Sequence, residues 1–249
     1  MVDFSVSATL SEMLNGELRL DATYYTSVVY QARKTLENYK VVGGKITNIG
    51  AFSSGAFNPP PIKRIYTDDQ LAGTPYMLPQ EMFDFYWAPK KYVLADRMHD
   101  IDNWFLKAGW IVLTQSGSVG KPYYVTSADE TVVLSQNAIR IPASDVSRSG
   151  YIYAFLSTWI GQTLLKKDEF GITVKHIRPH HVDSIEIPDI DKKQQKIISD
   201  KVQKEFQLRA ESIKLLDEAK KMVYSAIGAP ESPPSDDQDA DSDKEQIST

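Results

Sequence analysis

Hydrophobic positions divide the chain into three regimes. Near the start, Val28, Val29, Leu36 and Tyr39 recur at helical spacing, which predicts a helix from about Tyr24 to Tyr39 ended by Gly43-Gly44. From Lys45 to about Pro188 the pattern changes. Apolar or alternating runs such as WIVLTQ, KPYYVT and AIRIPA read as strands, separated by turn clusters such as SSGAFNPPP, AGTP and SRSG. A single helical run, YIYAFLSTWIGQTLLKK, interrupts them. From Lys192 to Ile227 neither Pro nor Gly occurs. There Ile198, Val202, Phe206, Ile213, Leu216, Ala219, Val223 and Ile227 fall mostly three or four residues apart, with one gap at Arg209. The spacing predicts one amphipathic helix, roughly 50 Å long at 1.5 Å per residue, stopped by Gly228 and Pro230. The expected class is α+β, a β-rich domain followed by a long coiled-coil-type helix. Its divisions are residues 1–190 for the domain, 191–228 for the helix and 229–249 for a tail. A helix of this length either lies across its own domain or pairs its stripe with a second helix, and pairing is the favoured expectation.

Charge placement sharpens this outline. The 249-residue chain carries a net charge of -5, which argues against a nucleic-acid partner when taken as a whole. Between Glu231 and Glu245, however, seven acids face one base, Lys244, so this segment holds -6 and residues 1–230 hold +1. A local basic face on a near-neutral body is sufficient for nucleic acid. The segment APESPPSDDQDADSDKEQIST is too poor in apolar residues to offset its ordering entropy, and the expectation is a disordered acidic tail. The chain has no cysteine, which excludes disulfides, thiolate metal sites and cysteine catalysis. MVDFSVSATLSEML lacks the basic start and apolar stretch of a signal peptide, and no apolar run is long enough to span a bilayer. A cytoplasmic protein without membrane contact is expected.

Catalytic patterns fail on chemical grounds. LTQSGSVGKPYYV (Leu113–Val125) suggests a phosphate loop, but Gln115 stands where G-x-x-x-x-G-K-[ST] needs glycine and Pro122 where it needs a hydroxyl. NPPP (Asn58–Pro61) lacks the fourth-position aromatic of adenine methyltransferases and reads as a proline-rich turn. In PDIDKK (Pro188–Lys193), Asp189 and Asp191 are too close in sequence for a nuclease metal pair, and an aspartate there suits a cap for the long helix. Among the four histidines, His176 and His180 have a four-residue spacing that Pro179 disrupts. No catalytic residue, metal ligand or bound cofactor is expected.

Several segments, in order, resemble the target recognition domain of type I restriction–modification specificity (S) subunits. GTPYMLPQEMFD (Gly73–Asp84) is similar to the family's G-x-P run leading to a strand and a short acidic turn. AGWIVLTQSGSVGKPYYV (Ala108–Val125) is similar to its S-G-[ST]-Φ-G-K hallmark, with Trp110 in place of the usual aspartate. LSQNAIRIPA (Leu134–Ala143) resembles its next strand, and FGITVKHIRPHHVDSIEIPDIDKKQQKI (Phe170–Ile197) its closing run. RLDATYY (Arg19–Tyr25) also recurs near the start of such domains. The resemblance implies a non-catalytic subunit that reads double-stranded DNA. A DNA adenine methyltransferase, carrying S-adenosylmethionine, would dock on its helix, with a restriction translocase/nuclease as a further partner. The family carries two such units per chain, and here there is one, which implies a half-size S subunit that dimerises through residues 192–227. C2 pairing would give a palindromic bipartite site. Two other classes remain open on sequence: an interaction module or DNA mimic using the helix and tail, and a separated domain of a larger methyltransferase–nuclease chain.

Candidate DNA-contacting residues follow from chemistry. Ser116, Ser118 and Lys121 lie in a small polar loop whose backbone can approach a phosphate, while Gly117 and Gly120 read as turn formers. Tyr123 and Tyr124 alternate on a strand, one expected in the core and Tyr123 a candidate contact. TVKHIRPHH supplies Lys175, His176, Arg178 and His180. Lys63-Arg64 and Lys90-Lys91 read as solvated pairs, Lys166-Lys167 as a complement to a helix dipole, and Trp87, Trp104 and Trp159 as core.

Overall fold

The computed structural model describes residues 11, 22–143 and 145–231. The start of the RLDATYY segment and the acidic tail beyond Glu231 lie outside the described residues. The first helix, α1 (Ser27–Val41), is capped by Thr26, whose hydroxyl accepts the Val29 N–H, and ends before Gly43 at φ +89°. Strand β1 (Ile46–Asn48) leads into the short α2 (Ile49–Phe52). The expected β-rich stretch consists of β2 (Tyr66–Thr67), β3 (Thr74–Met77), β4 (Tyr92–Val93), β5 (Ile111–Thr114), β6 (Pro122–Tyr124), β7 (Val133–Leu134) and β8 (Ala138–Ile141). Helices α3 (Val146–Ser157), α4 (Trp159–Lys166) and α5 (Pro179–Asp183), strand β9 (Glu186–Pro188) and helix α6 (Lys192–Ile227) complete the chain. The class is α+β, as expected.

The strands form three sheets: β1–β9, β2–β4–β3–β7 and β6–β5–β8. All neighbours are antiparallel except β3 and β7, which run parallel with Met77 opposite Leu134. Central β5 shows how side-chain alternation builds two cores. Ile111 and Leu113 face a cluster with α1, α3 and α4, whereas Val112 faces Met77, Leu134 and Ala138. Both faces of this strand are therefore dry, which is why WIVL is continuously apolar rather than alternating. On β3 and β7 the same alternation sends Tyr76 and Val133 into a third cluster around Trp104.

Two expectations change. The run YIYAFLSTWIGQTLLKK is two helices rather than one, since Thr158 adopts extended backbone and its hydroxyl accepts the Gly161 N–H to cap α4. A β-branched capping residue at this point outcompetes continuation of the helix. Gly161 permits the tight corner, because a Cβ there would overlap the Phe155 carbonyl. The break also turns Trp159 outward, and it is exposed rather than core.

Helix α6 has the bounds that the spacing predicts, and Asp191 caps it by accepting the Lys193 N–H at 2.8 Å. Compactness divides the chain within this helix, after Gln207. In the first unit, Gln195, Ser199 and Phe206 are buried, with Phe206 packed edge-on against Tyr123 and Tyr153 and tilted against Tyr124. Gly150 of α3 admits Ser199 closely, its N–H donating to Ser199 Oγ at 3.2 Å. In the second unit, the helix continues from Leu208 with Leu216, Val223 and Ile227 exposed, and i,i+4 pairing of Lys214 with Glu218 supports its polar side.

Candidate nucleic-acid interface

The loop between β5 and β6 is a tight turn. Gly117 and Gly120 hold φ of +72° and +77°, which side chains other than glycine rarely adopt. Thr114 organises it. Its hydroxyl donates to the Ser118 carbonyl and accepts the Lys121 N–H at 3.0 Å, while the Gly120 N–H reaches the Thr114 carbonyl at 2.9 Å. Val119 anchors the turn in the main core. The glycine side of the loop is thus structural, and its polar side chains lie on the outside.

Two segments far apart in sequence meet here. Ser116 bridges to His176 through the backbone, and its hydroxyl lies 2.9 Å from His176 Nδ1. The Gly117 N–H donates to the Lys175 carbonyl, and the Ile177 N–H to the Gln115 carbonyl. The serine loop and TVKHIRPHH consequently form one surface. Arg178 stacks its guanidinium over Phe170 at 4.8 Å, and exposed His180 lies edge-on to His181 at 4.2 Å. His181 Nδ1 accepts the Arg178 N–H and so fastens the start of α5.

Beside this surface is a cleft of about 380 Å³, whose lining includes Gln80, Phe83, Ser116, Ser118, Lys121 and Asn137. Lys121 extends over the Phe83 ring, 4.3 Å from its centroid. Among the described residues no carboxylate lines the cleft. The ammonium lies over a π face, and among the described residues it makes no ion pair.

Tyr123 has a different place. Its ring packs between Phe83 and Phe206, and its hydroxyl donates to Asp129 at 3.0 Å. Tyr124 is buried and Tyr123 half-buried, so neither is the exposed member that strand alternation predicts. Helix α6 covers the face that a lone hairpin would leave wet. Arg64 donates to the Tyr76 hydroxyl, Lys90 lies 3.9 Å from Glu81, and Lys91 lies over Tyr66. Trp110 packs edge-on to Phe57.

One residue that sequence pattern passes over is Arg140 of β8. It is fully buried opposite Val112 and faces backbone carbonyls: Nη1 donates to Ser135 and Ala138 at 3.1 and 2.6 Å, Nη2 to Leu134 at 2.7 Å. Burial pushes its guanidinium down to about 9. Asn58 reinforces the same turn, donating to the carbonyls of Gln136 and Ala138. The NPPP motif therefore begins with a structural bracket.

The chain is similar to specificity subunits of type I restriction–modification systems. It matches the S subunit from M. genitalium at 17% identity and a TM-score of 0.44, over 73% of this chain and 44% of that one. The HsdS subunit from Thermoanaerobacter tengcongensis matches at 12% and 0.44, over 81% and 50%. A structure addressing complex assembly and conformational transition of the type I R-M system matches at 13% and 0.46, over 87% and 54%. The chain spans about half the length of these proteins. No family profile and no curated protein matches it.

Proposed function

We propose that the protein is a sequence-specific, double-stranded DNA recognition subunit of a restriction–modification complex, itself non-catalytic. The observation that carries this is the single surface made by Ser116, Lys121, Lys175, His176 and Arg178 beside a cleft that no carboxylate lines among the described residues. Such a surface offers cations and backbone N–H groups to phosphates, and small polar groups to base edges. The ordered motifs of the sequence support the same reading. Ser118 and His180 belong to this surface, whereas Tyr123 does not.

The proposal extends to partners. A DNA adenine methyltransferase, with S-adenosylmethionine on it, docks through α6, with a nuclease as a further subunit, and the complex works in the cytoplasm. Helix α6 also joins two copies, burying Leu216, Val223 and Ile227, which are exposed in the single chain. Mass measurement in solution should give twice the chain mass, and Leu216→Lys with Val223→Lys should return it to one. A monomeric parent chain would remove the pairing. For the function itself, selection from a random duplex pool by the protein with its methyltransferase should enrich a defined motif. Enrichment of no motif would end the DNA-reading proposal.

A further inference from the structure

We infer that Gln80 and Asn137 read base edges, each presented by a turn that the fold locks from beneath. This inference rests on the DNA-reading proposal and assigns residues that the sequence motifs do not single out. The two positions are related by topology. Strands β3 and β7 are parallel, so both chains leave the sheet in the same direction, from the partnered residues Met77 and Leu134. Three residues further on, each chain places a carboxamide at the cleft. The Ser135 N–H, donating to the Met77 carbonyl at 3.0 Å, continues the pairing to the cleft wall.

Each turn is held by an internal charged side chain. Glu81 accepts the Leu78 N–H at 2.9 Å, and its own N–H returns to the Leu78 carbonyl, closing the Leu78–Glu81 turn around Gln80. Arg140 and Asn58 bind the carbonyls of residues 134–136 and 138, fixing the turn that carries Asn137. The carboxamides themselves are exposed and make no side-chain hydrogen bond among the described residues. Fixed turns with unspent donors and acceptors at their tips are what precise recognition requires.

The chemistry selects the ligand. A carboxamide pairs its C=O and NH₂ with N6 and N7 of adenine, a pattern unique to that base in the major groove. Lys121, which lines the same cleft, supplies the phosphate contact that sets register. Arg140 and Glu81 are positioning residues, since neither lines the cleft.

The experiment uses the full chain with its methyltransferase and a random duplex pool. Gln80→Ala and Asn137→Ala should each relax preference at one adenine position, with about a 5- to 150-fold loss on the parent motif. Binding to unrelated duplex and the salt slope should not change. Asn137→Asp removes the donor pair but keeps the shape, and should move preference at its position from adenine toward cytosine. If the parent chain enriches a motif and these variants enrich the same motif with unchanged base frequencies, the inference is overturned while DNA reading stands. If the parent enriches nothing, it is the DNA-reading proposal that falls.

Discussion

Arg140→Ala should lower the melting temperature by about 6–20 °C, the largest stability loss expected from any substitution near the cleft. Two effects oppose each other. Removing a guanidinium whose pKa burial has pushed to about 9 relieves about 5 kcal/mol of desolvation. Against this, the carbonyls of Leu134, Ser135 and Ala138 lose their donors in a dry site, at about 1–3 kcal/mol each. The cavity adds about 2–5 kcal/mol. Taken at their midpoints, these contributions leave a net destabilisation of about 4–5 kcal/mol, read by thermal unfolding. Arg140→Met keeps most of the volume and sheds the charge, so its loss should be smaller yet still measurable. A methionine variant as stable as the parent would mean that the three carbonyls find other partners.

Lys121→Ala should weaken binding to every duplex sequence, by about tenfold at 0.1 M salt, with the difference vanishing toward 1 M. One phosphate contact releases about 0.9 counterion, so its contribution scales as the inverse 0.9 power of salt. The slope of log K against log salt should accordingly flatten by about 0.9, while base preferences stay fixed. Phe83 makes this clean, because its ring positions the ammonium 4.3 Å from the centroid without neutralising it. An unchanged slope in titrations across 0.05–0.5 M salt would leave Lys121 a structural residue of the turn.

What the sequence made legible was local. The absence of Pro and Gly, the three-and-four spacing and an aspartate just ahead fixed the bounds of α6. Glycines and short apolar runs located β5, β6 and β8 and the turn between the first two. What it left hidden depended on distant partners. In NAIRIPA, alternation suggests an outward, wet Arg140. The residue is dry because the sheet containing β3 and β7 covers that face. Tyr123 is withdrawn from solvent by Phe206, more than eighty positions later. Gln80 and Asn137 become neighbours of one cleft only through a parallel pairing that no local pattern announces. The Thr158 break was readable in principle, from a capping threonine followed three residues on by glycine, but the apolar period on either side masked it.

The parallel pairing of β3 with β7 also bears on how the molecule forms. Joining Met77 to Leu134 closes a loop of 57 positions, a high-contact-order step whose entropy is lost before its contacts are gained. By loop-closure entropy the cleft is expected to form after the local β5–β6 turn. A chain released before this closure has its serine loop but neither carboxamide in place, and it would hold DNA by charge alone. Under the DNA-reading proposal, recognition of sequence, as distinct from adhesion to it, then begins only in molecules that have finished folding.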